Sequence, residues 1–440
     1  MRKYFVQTFG CQMNEHDSEV IAGILEDRGY VPASTVEEAD LVIFNTCCVR
    51  ENPERKVYGR VADLKRLKRA NPDLIIGICG CMVQQDGEAE RIASKLPHVD
   101  LVFGTMNLHR LPELLDKVEA GQRVVEVWDE EGGIVEHLPM RRADAVSAWV
   151  TIMYGCNNFC TYCIVPYVRG RERSRRFEDI VDEVRSLGRA GYREVVLLGQ
   201  NVNSYGHDLE DGRDFADLLR ALDGTPGIYR IRYTTSHPRD FSQKLIDTIA
   251  DCRTVCEHFH LPLQAGSDRV LSRMNRGYTR AQYTDLVRRI REAVPGCSIT
   301  TDLIVGFPGE TEEDFLETLE VVREVRFDSA FTFVFSPRRG TAAARMDDQV
   351  PEDVKSDRIQ RLIKVQDAIT LEINKALAGK TVEVLVEGES KTNPSMLAGR
   401  TRTNKLVIFP RDDRARKGTL VKVRITEPHA WTQMGEVVDA

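Results

Sequence analysis

The chain has 440 residues, 42% of them hydrophobic and 29% charged, and a net charge of −7. That is enough chain for about two or three domains with cores of their own, and an ordinary balance for a globular protein. It contains no apolar run of the roughly 18 residues a membrane helix needs, and Met1 to Val6 lead straight into a strand-like segment without a signal-peptide pattern.

Both features lead us to expect a cytoplasmic protein with no membrane partner. Eleven cysteines in a reducing compartment argue for metal or redox chemistry and against disulfides. The charge is uneven: residues 379–440 carry 11 Lys+Arg against 8 Asp+Glu, a net of +3, which leaves −10 on residues 1–378. A basic end module on an acidic body suits a polyanionic partner, although a charge run is more often only a solvated face.

Residues 1–120 alternate strand and helix signals. The pattern predicts strands over 4–9, 41–44, 74–78 and 101–103. It predicts helices over 18–27 and from Asn52-Pro53 to about Ala70, with a further helical stretch after each later strand. Unbroken apolar strands between helices predict a doubly wound parallel sheet. Cys11, Cys47 and Cys81 fall just past the first three strands, on the edge where open α/β sheets bind ligands. Three cysteines brought to one edge suggest a cluster site. The competing reading makes each a small buried hydrophobe, and Cys48 and Cys79 are neighbours that could compete as ligands. Residues 121–147, with Gly132-Gly133 and mixed charge, read as a connector.

From residue 148 the alternation resumes. Strands are expected at 148–153, 195–199, 231–235, 258–263, 298–306 and 330–336. The helices between them fall at 177–190, 214–222, 240–251, 267–274, 279–293 and 311–325. Six βα units make an open partial (β/α)6 barrel over 148–376, its active face at the carboxyl ends of the strands. A connecting helix follows at 351–376.

Cys156, Cys160 and Cys163 stand in the spacing C-x3-C-x2-C right after the first of these strands. Soft thiolates select iron–sulfur clusters, zinc or copper(I). Structural zinc normally takes four protein ligands, whereas a cubane held by three cysteines leaves one iron open. Tyr154, Phe159 and Tyr162 could shield such a group from solvent.

Polar residues gather at the other strand ends: Gln200, Ser236, Gln264, Asp302 and the turn Val305–Glu310. Gly306 and Gly309 there would allow a ligand close to the backbone. His237, before Pro238, reads as a structural hydrogen-bonder, and Cys252, Cys256 and Cys297 as packing residues. Arg169, Arg171, Arg173, Arg175 and Arg176 form a basic run after the cysteine loop, and Arg338-Arg339 follow the sixth strand. Arginine suits phosphate contacts and base stacking, so an RNA path competes here with a solvated loop paired to Glu172 and Glu178.

Residues 377–440 change to all-β character, with strands expected at 381–387, 405–409 and 419–426. This is the pattern of a small barrel. Arg400, Arg402, Lys405, Arg414, Arg416 and Lys417 lie around it, and such barrels often bind nucleic acid on one face.

The cysteine loop after an apolar strand is similar to the cluster loop of radical S-adenosylmethionine (SAM) enzymes, and Val305–Glu310 resembles their SAM-binding turn. Gln7–Asn14, Tyr154–Pro166, Arg169–Ser174, Leu198–Asn203, Leu261–Ser267, Met274–Tyr278 and Ser336–Thr341 resemble one family within them, the methylthiotransferases. The end barrel resembles the TRAM module, a tRNA-binding barrel. Asn45-Thr46-Cys47, Gly80-Cys81-Met82 and Gly10–Asn14 resemble that family's ligand motifs, which implies Cys11, Cys47 and Cys81 as ligands in preference to Cys48 or Cys79.

The resemblance implies two 4Fe-4S clusters, on Cys156/Cys160/Cys163 and on Cys11/Cys47/Cys81. It also implies SAM (two equivalents, one for the radical and one for the methyl group) near Gln200, Ser236, Gln264, Asp302, Gly306 and Gly309. The substrate implied is tRNA bearing isopentenyladenosine next to the anticodon, methylthiolated at C2 after hydrogen abstraction. The RNA contacts expected are Arg169, Arg171, Arg173, Arg338, Arg339, Arg400 and Arg402. The protein would act as a monomer, reduced by flavodoxin or ferredoxin. Siblings acting on threonylcarbamoyl-adenosine or on a ribosomal-protein aspartate share the clusters. A non-catalytic iron–sulfur RNA sensor is the competing class, and the open-iron loop and the Val305–Glu310 turn count against it.

Overall fold

The computed structural model describes residues 1–48, 51–128 and 133–439, with 51–55 as backbone only; Gly132 of the connector lies outside the described residues. The first unit is a parallel sheet of β1 (Lys3–Thr8), β2 (Val31–Pro32), β3 (Leu41–Thr46), β4 (Ile75–Gly80), β5 (Leu101–Phe103) and β6 (Val124–Glu126). Their order is β2-β1-β3-β4-β5-β6. Helices α1 (Gln12–Asp27), α2 (Glu51–Ala70), α3 (Glu88–Lys95) and α4 (Leu111–Glu119) link them. Every residue of β3 and β4 is buried. Strands covered on both faces have no polar side, which is why these two read as unbroken apolar runs.

Two expectations for this unit change. The stretch 121–147, expected only to connect, supplies β6, whose Val124 pairs with Leu101. Helix α1 begins at Gln12 and not at 18. Its first turns are polar in sequence, yet Met13, Asn14, His16 and Asp17 are buried because a second unit closes over them.

That second unit contains β7 (Ser147–Thr151), β8 (Met153–Tyr154), α5 (Val165–Val168), β9 (Arg173–Ser174) and α6 (Phe177–Ala190). It continues through β10 (Glu194–Leu198), α7 (Phe215–Leu222), β11 (Arg230–Tyr233), α8 (Gln243–Asp251), β12 (His258–His260) and α9 (Asp268–Arg273). It ends with α10 (Arg280–Ala293), β13 (Ser298–Val305), α11 (Glu312–Val325) and β14 (Ser329–Val334). The barrel strands form two parallel threes, β11-β10-β7 and β12-β13-β14. They are joined where Ile231 N donates to Thr254 O at 2.8 Å and Cys256 N donates to Ile231 O at 2.9 Å. This is the expected six-stranded open barrel. Capping boxes at Asp214, Thr279 and Thr311 start α7, α10 and α11, each satisfying first-turn amides that have no partner within the helix.

Helix α12 (Glu352–Lys375) leads to a closed barrel of β15 (Thr381–Glu389), β16 (Met396–Thr401), β17 (Leu406–Pro410), β18 (Leu420–Pro428) and β19 (Gln433–Val438). Strands β16 and β19 were not expected; Ala398-Gly399-Arg400 and Gln433–Glu436 carry no strand signal of their own. Among the described residues no helix is long and apolar enough to cross a membrane.

This small barrel docks on β11. Arg232 donates to Thr401 O at 2.7 Å and Arg402 O at 2.9 Å while its Nε holds Glu194 at 2.7 Å. Arg230, fully buried, reaches Arg400 O and Glu383. Leaving Glu194 buried without its cation costs about 3–5 kcal/mol. Arg232→Met should therefore lower unfolding stability by roughly that amount in urea titrations, and should open the 376–381 linker to limited proteolysis.

Candidate functional site

The register of the first sheet builds one half of the site. Thr8 pairs with Asn45 and Thr46 with Gly80, so the chain leaves β1, β3 and β4 at one edge. Cys11, Cys47 and Cys81 follow those strand ends directly. Cys11 is also the N-cap residue of α1, at the helix end that favours negative charge. Gly10 sits at φ +140 with no room for a side chain, since a Cβ there would strike Cys47 and Asn14.

Asn14 is the hub. Its Nδ2 donates to Asn45 Oδ1 and Thr46 O, both at 3.1 Å, and its Oδ1 lies 3.6 Å from Cys11 Sγ and 4.0 Å from Cys81 Sγ. A hydrogen bond from Cys48 and the nearby Arg169 guanidinium outweigh burial and hold the Cys81 thiol down at about 6. Cys79 has the opposite environment: burial, with Asp17 nearby, pushes its thiol well up.

The other half is the loop between β8 and α5. Cys156 and Cys160 are buried and Cys163 is half-buried. The 273–276 segment clamps this loop. Thr161 N donates to Met274 O at 3.0 Å, and Asn275 Nδ2 to Phe159 O at 3.1 Å. Arg276, itself buried, places Nη1 3.3 Å from Cys160 Sγ. Burial pushes the thiols of Cys156 and Cys163 up to about 11 and about 12. Such groups become thiolates when a cationic centre offsets the burial, which is what a bound metal cluster provides.

The two halves share walls. Ile164 and Val168, just past Cys163, pack with Cys48 and Cys81. Tyr154 and Trp149 pack with Cys11 and Met13. Tyr154, two residues before Cys156, shares that cluster with Cys11, and Tyr162 OH is 3.4 Å from Arg276. Phe159 is half-buried against Tyr167 and lies 4.5 Å under the Arg171 guanidinium. Among the described residues no group of three or more His, Cys, Asp or Glu is arranged around a single ion.

Three buried polar atoms at the barrel mouth have no protein partner: Ser236 Oγ, His237 Nε2 and Gln264 Oε1. A buried orphan of this kind calls for a ligand or water. Gln264 holds φ +71 and donates its amide to Asp302 O at 2.8 Å. Burial first, then Arg276 and Arg239, push His237 down to about 2, so its ring stays neutral. Gln200 is half-buried just past β10.

Three family models match in series. The Radical SAM superfamily covers residues 150–322, the TRAM domain covers 375–438, and a family described as the uncharacterised protein family UPF0004 covers 3–104. A protein of Desulforamulus reducens named tRNA-2-methylthio-N(6)-dimethylallyladenosine synthase is 59% identical over 99% of this chain and 95% of its own. A Moorella thermoacetica protein of the same name is 57% identical over 100% of this chain and 99% of its own. The chain belongs to the radical SAM methylthiotransferase family. Its fold is similar to the solved radical SAM methyltransferase TsrM of Kitasatospora setae (TM-score 0.58, 16% identity, 90% of this chain and 80% of that chain).

Several expected contacts of this methylthiotransferase need correction. Gly306 and Gly309 have neighbours that fill the space a side chain would take. A Cβ at Gly306 would strike Lys355 of α12, and one at Gly309 would strike Asp348 and Arg273. The pair lets the turn pack against the 346–355 region. Asp302 is not at a strand end; it sits within β13, opposite Phe331 and 3.6 Å from His260 Nε2.

The RNA contacts divide as well. Arg169 is buried in an ion pair with Asp17 at 2.7 Å. Arg402 clamps Glu257 at 2.6 Å across the docking face, and Arg400 pairs with Glu387 at 3.2 Å. Arg169 and Arg402 are committed to these partners, whereas the Arg400–Glu387 pair is 39% and 37% exposed, a weak contact that leaves Arg400 at the surface. Arg171 and Arg339 are exposed, while Arg173 and Arg338 are half-buried. Asn14, Asp17 and Arg276 were missed as site residues. Each lies in or beside a quoted motif, but only folding brings them against the thiols.

Chains lacking Cys11, Cys47 and Cys81 together (each →Ala) should keep roughly half the iron of the parent after anaerobic reconstitution. Cys48→Ala and Cys79→Ala should keep all of it. Iron analysis checks both.

Proposed function

We propose that this enzyme methylthiolates C2 of N6-isopentenyladenosine next to the anticodon of tRNA. The observation carrying this reading is the seam where the Cys156/Cys160/Cys163 loop packs directly on the residues beside Cys11, Cys47 and Cys81, in a chain similar end to end to synthases named for that nucleoside. Each triad has thiols, a buried arginine and apolar walls suited to a 4Fe-4S cluster. Cys156, Cys160 and Cys163 would hold a cluster that, with SAM bound, would supply one-electron radical chemistry.

The protein's own residues have the tasks of binding, aiming and excluding water. Arg276 fixes Cys160, and Asn275 and Thr161 hold the loop's backbone. Ser236, Gln264 and Gln200 ring the mouth as candidate SAM contacts, with Asp302 deeper in the barrel. Asn14 holds Cys11 and Cys81 in one geometry. Tyr154, packed on the Met13 cluster beside Cys11, would help to exclude water. An anticodon-loop adenosine is single-stranded and can be splayed out to reach this seam. Exposed Arg171 and Arg339 would meet its phosphates.

We further propose two equivalents of SAM, a flavodoxin or ferredoxin as reductant, and a cytoplasmic monomer. The working units under this reading are 1–120 with β6 for the auxiliary cluster, 148–376 for the radical chemistry and 377–440 for tRNA.

Ser236→Ala and Gln264→Ala should each weaken SAM binding about five- to tenfold with an unchanged unfolding midpoint, as read by equilibrium binding and thermal melts. Nucleoside mass spectrometry on tRNA, incubated anaerobically with the reconstituted enzyme, SAM and a reductant, tests the reaction. The expected result is a methylthio mass gained by isopentenyladenosine and dependent on all six cysteines. Cleavage of SAM with that nucleoside unchanged, or with the mass on threonylcarbamoyl-adenosine, would reject the substrate.

A further inference from the structure

One ion pair at the seam has no part in the chemistry above. Arg169 follows α5 in the radical half, yet only 4% of it is exposed and its partners belong to the first unit. Its Nη2 donates to Asp17 Oδ2 at 2.7 Å and to Asn14 Oδ1 at 3.3 Å, and its Nε donates to Cys81 Sγ at 3.2 Å. One guanidinium therefore ties α1, the edge past β4 and the radical half together.

A buried arginine is costly unless its charge is met and its donors are used. Asp17 alone would meet the charge. A second bond to sulfur gains strength when that sulfur is a thiolate, because charge-assisted bonds are the strong ones. Hydrogen bonds to ligand sulfurs are also among the factors that set the potential of an iron–sulfur cluster. Positive charge there stabilises the reduced, more negative state. Arg276 offers a contrast within the same molecule. It donates to Cys160, to the hydroxyls of Tyr162 and Tyr278, and to Pro262 O, with no carboxylate among these partners.

We propose that Arg169 is the positioning residue of the auxiliary triad: it fixes the Cys81 thiolate, makes that geometry depend on docking of the radical half, and raises the potential of the cluster held there, while Asp17 offsets part of its charge. This rests on the reading that Cys11, Cys47 and Cys81 hold a 4Fe-4S cluster.

The test uses the full chain with Cys156→Ala, Cys160→Ala and Cys163→Ala, so that only the auxiliary cluster assembles. A redox titration is followed by electron paramagnetic resonance. Arg169→Met should move the midpoint to lower potential and Asp17→Asn to higher potential, with Arg169→Lys lying between Met and the parent. General loosening of the seam would move both in one direction. A parent-like midpoint and spectrum in Arg169→Met, or a fall in Asp17→Asn, overturns the proposal. Should Arg169→Met take up no iron, the sign of the Asp17→Asn shift decides alone. If the parent itself takes up no iron, the auxiliary-cluster reading falls and this inference falls with it.

Discussion

The site depends on the burial of helix α1 along most of its length. From Met13 to Leu25 only Glu15 escapes full burial, because the first sheet covers one side and the barrel's β7 region covers the other. Polar residues so enclosed must find partners or destabilise the fold. Asn14 takes the thiols and Asn45, and Asp17 takes Arg169. Glu19 takes Arg142 at 3.1 Å and the amide of Ala143 at 2.9 Å. Each bond is satisfied in one helix position only. A purely apolar seam could slide by a turn; this one is held in register, and with it the distance between the triads.

His16 is the exception on that helix. Both of its ring nitrogens lack protein partners, and burial together with Arg142, Arg175 and Arg169 pushes its pKa well down. The neutral ring adds no further cation beside Arg142, Arg169 and Arg175.

Much of this was legible in the sequence, and the reasons differ by element. Strands β3 and β4 are apolar because both faces are covered, so their ends, and the cysteines after them, could be placed closely. Helices α7, α10 and α11 fall within one residue of their expected bounds, and each starts on a capping Asp or Thr. The start of α1 was illegible because Gln12–Asp17 looks like a solvated turn until another unit covers it. The glycine pair at 306 and 309 showed a turn but not its packing, since a left-handed glycine reads the same whatever lies beside it, here Lys355 and Asp348. Arg169 and Arg402 looked like phosphate ligands for a similar reason: a sequence shows the charge of an arginine but not the carboxylate that folding sets against it.

The docking of the small barrel has an evolutionary consequence. Arg230 and Arg232 grip it mainly through the carbonyls of Arg400, Thr401 and Arg402. A carbonyl is offered by any residue, so this grip does not depend on the side chain at 400, whereas Arg402 adds a clamp of its own on Glu257 and Val255 O. Position 400 can therefore change without a matched change at 230 or 232, whereas 399 and 402 are held: a Cβ at Gly399 would strike Leu385 O, and Arg402 carries part of the seat itself.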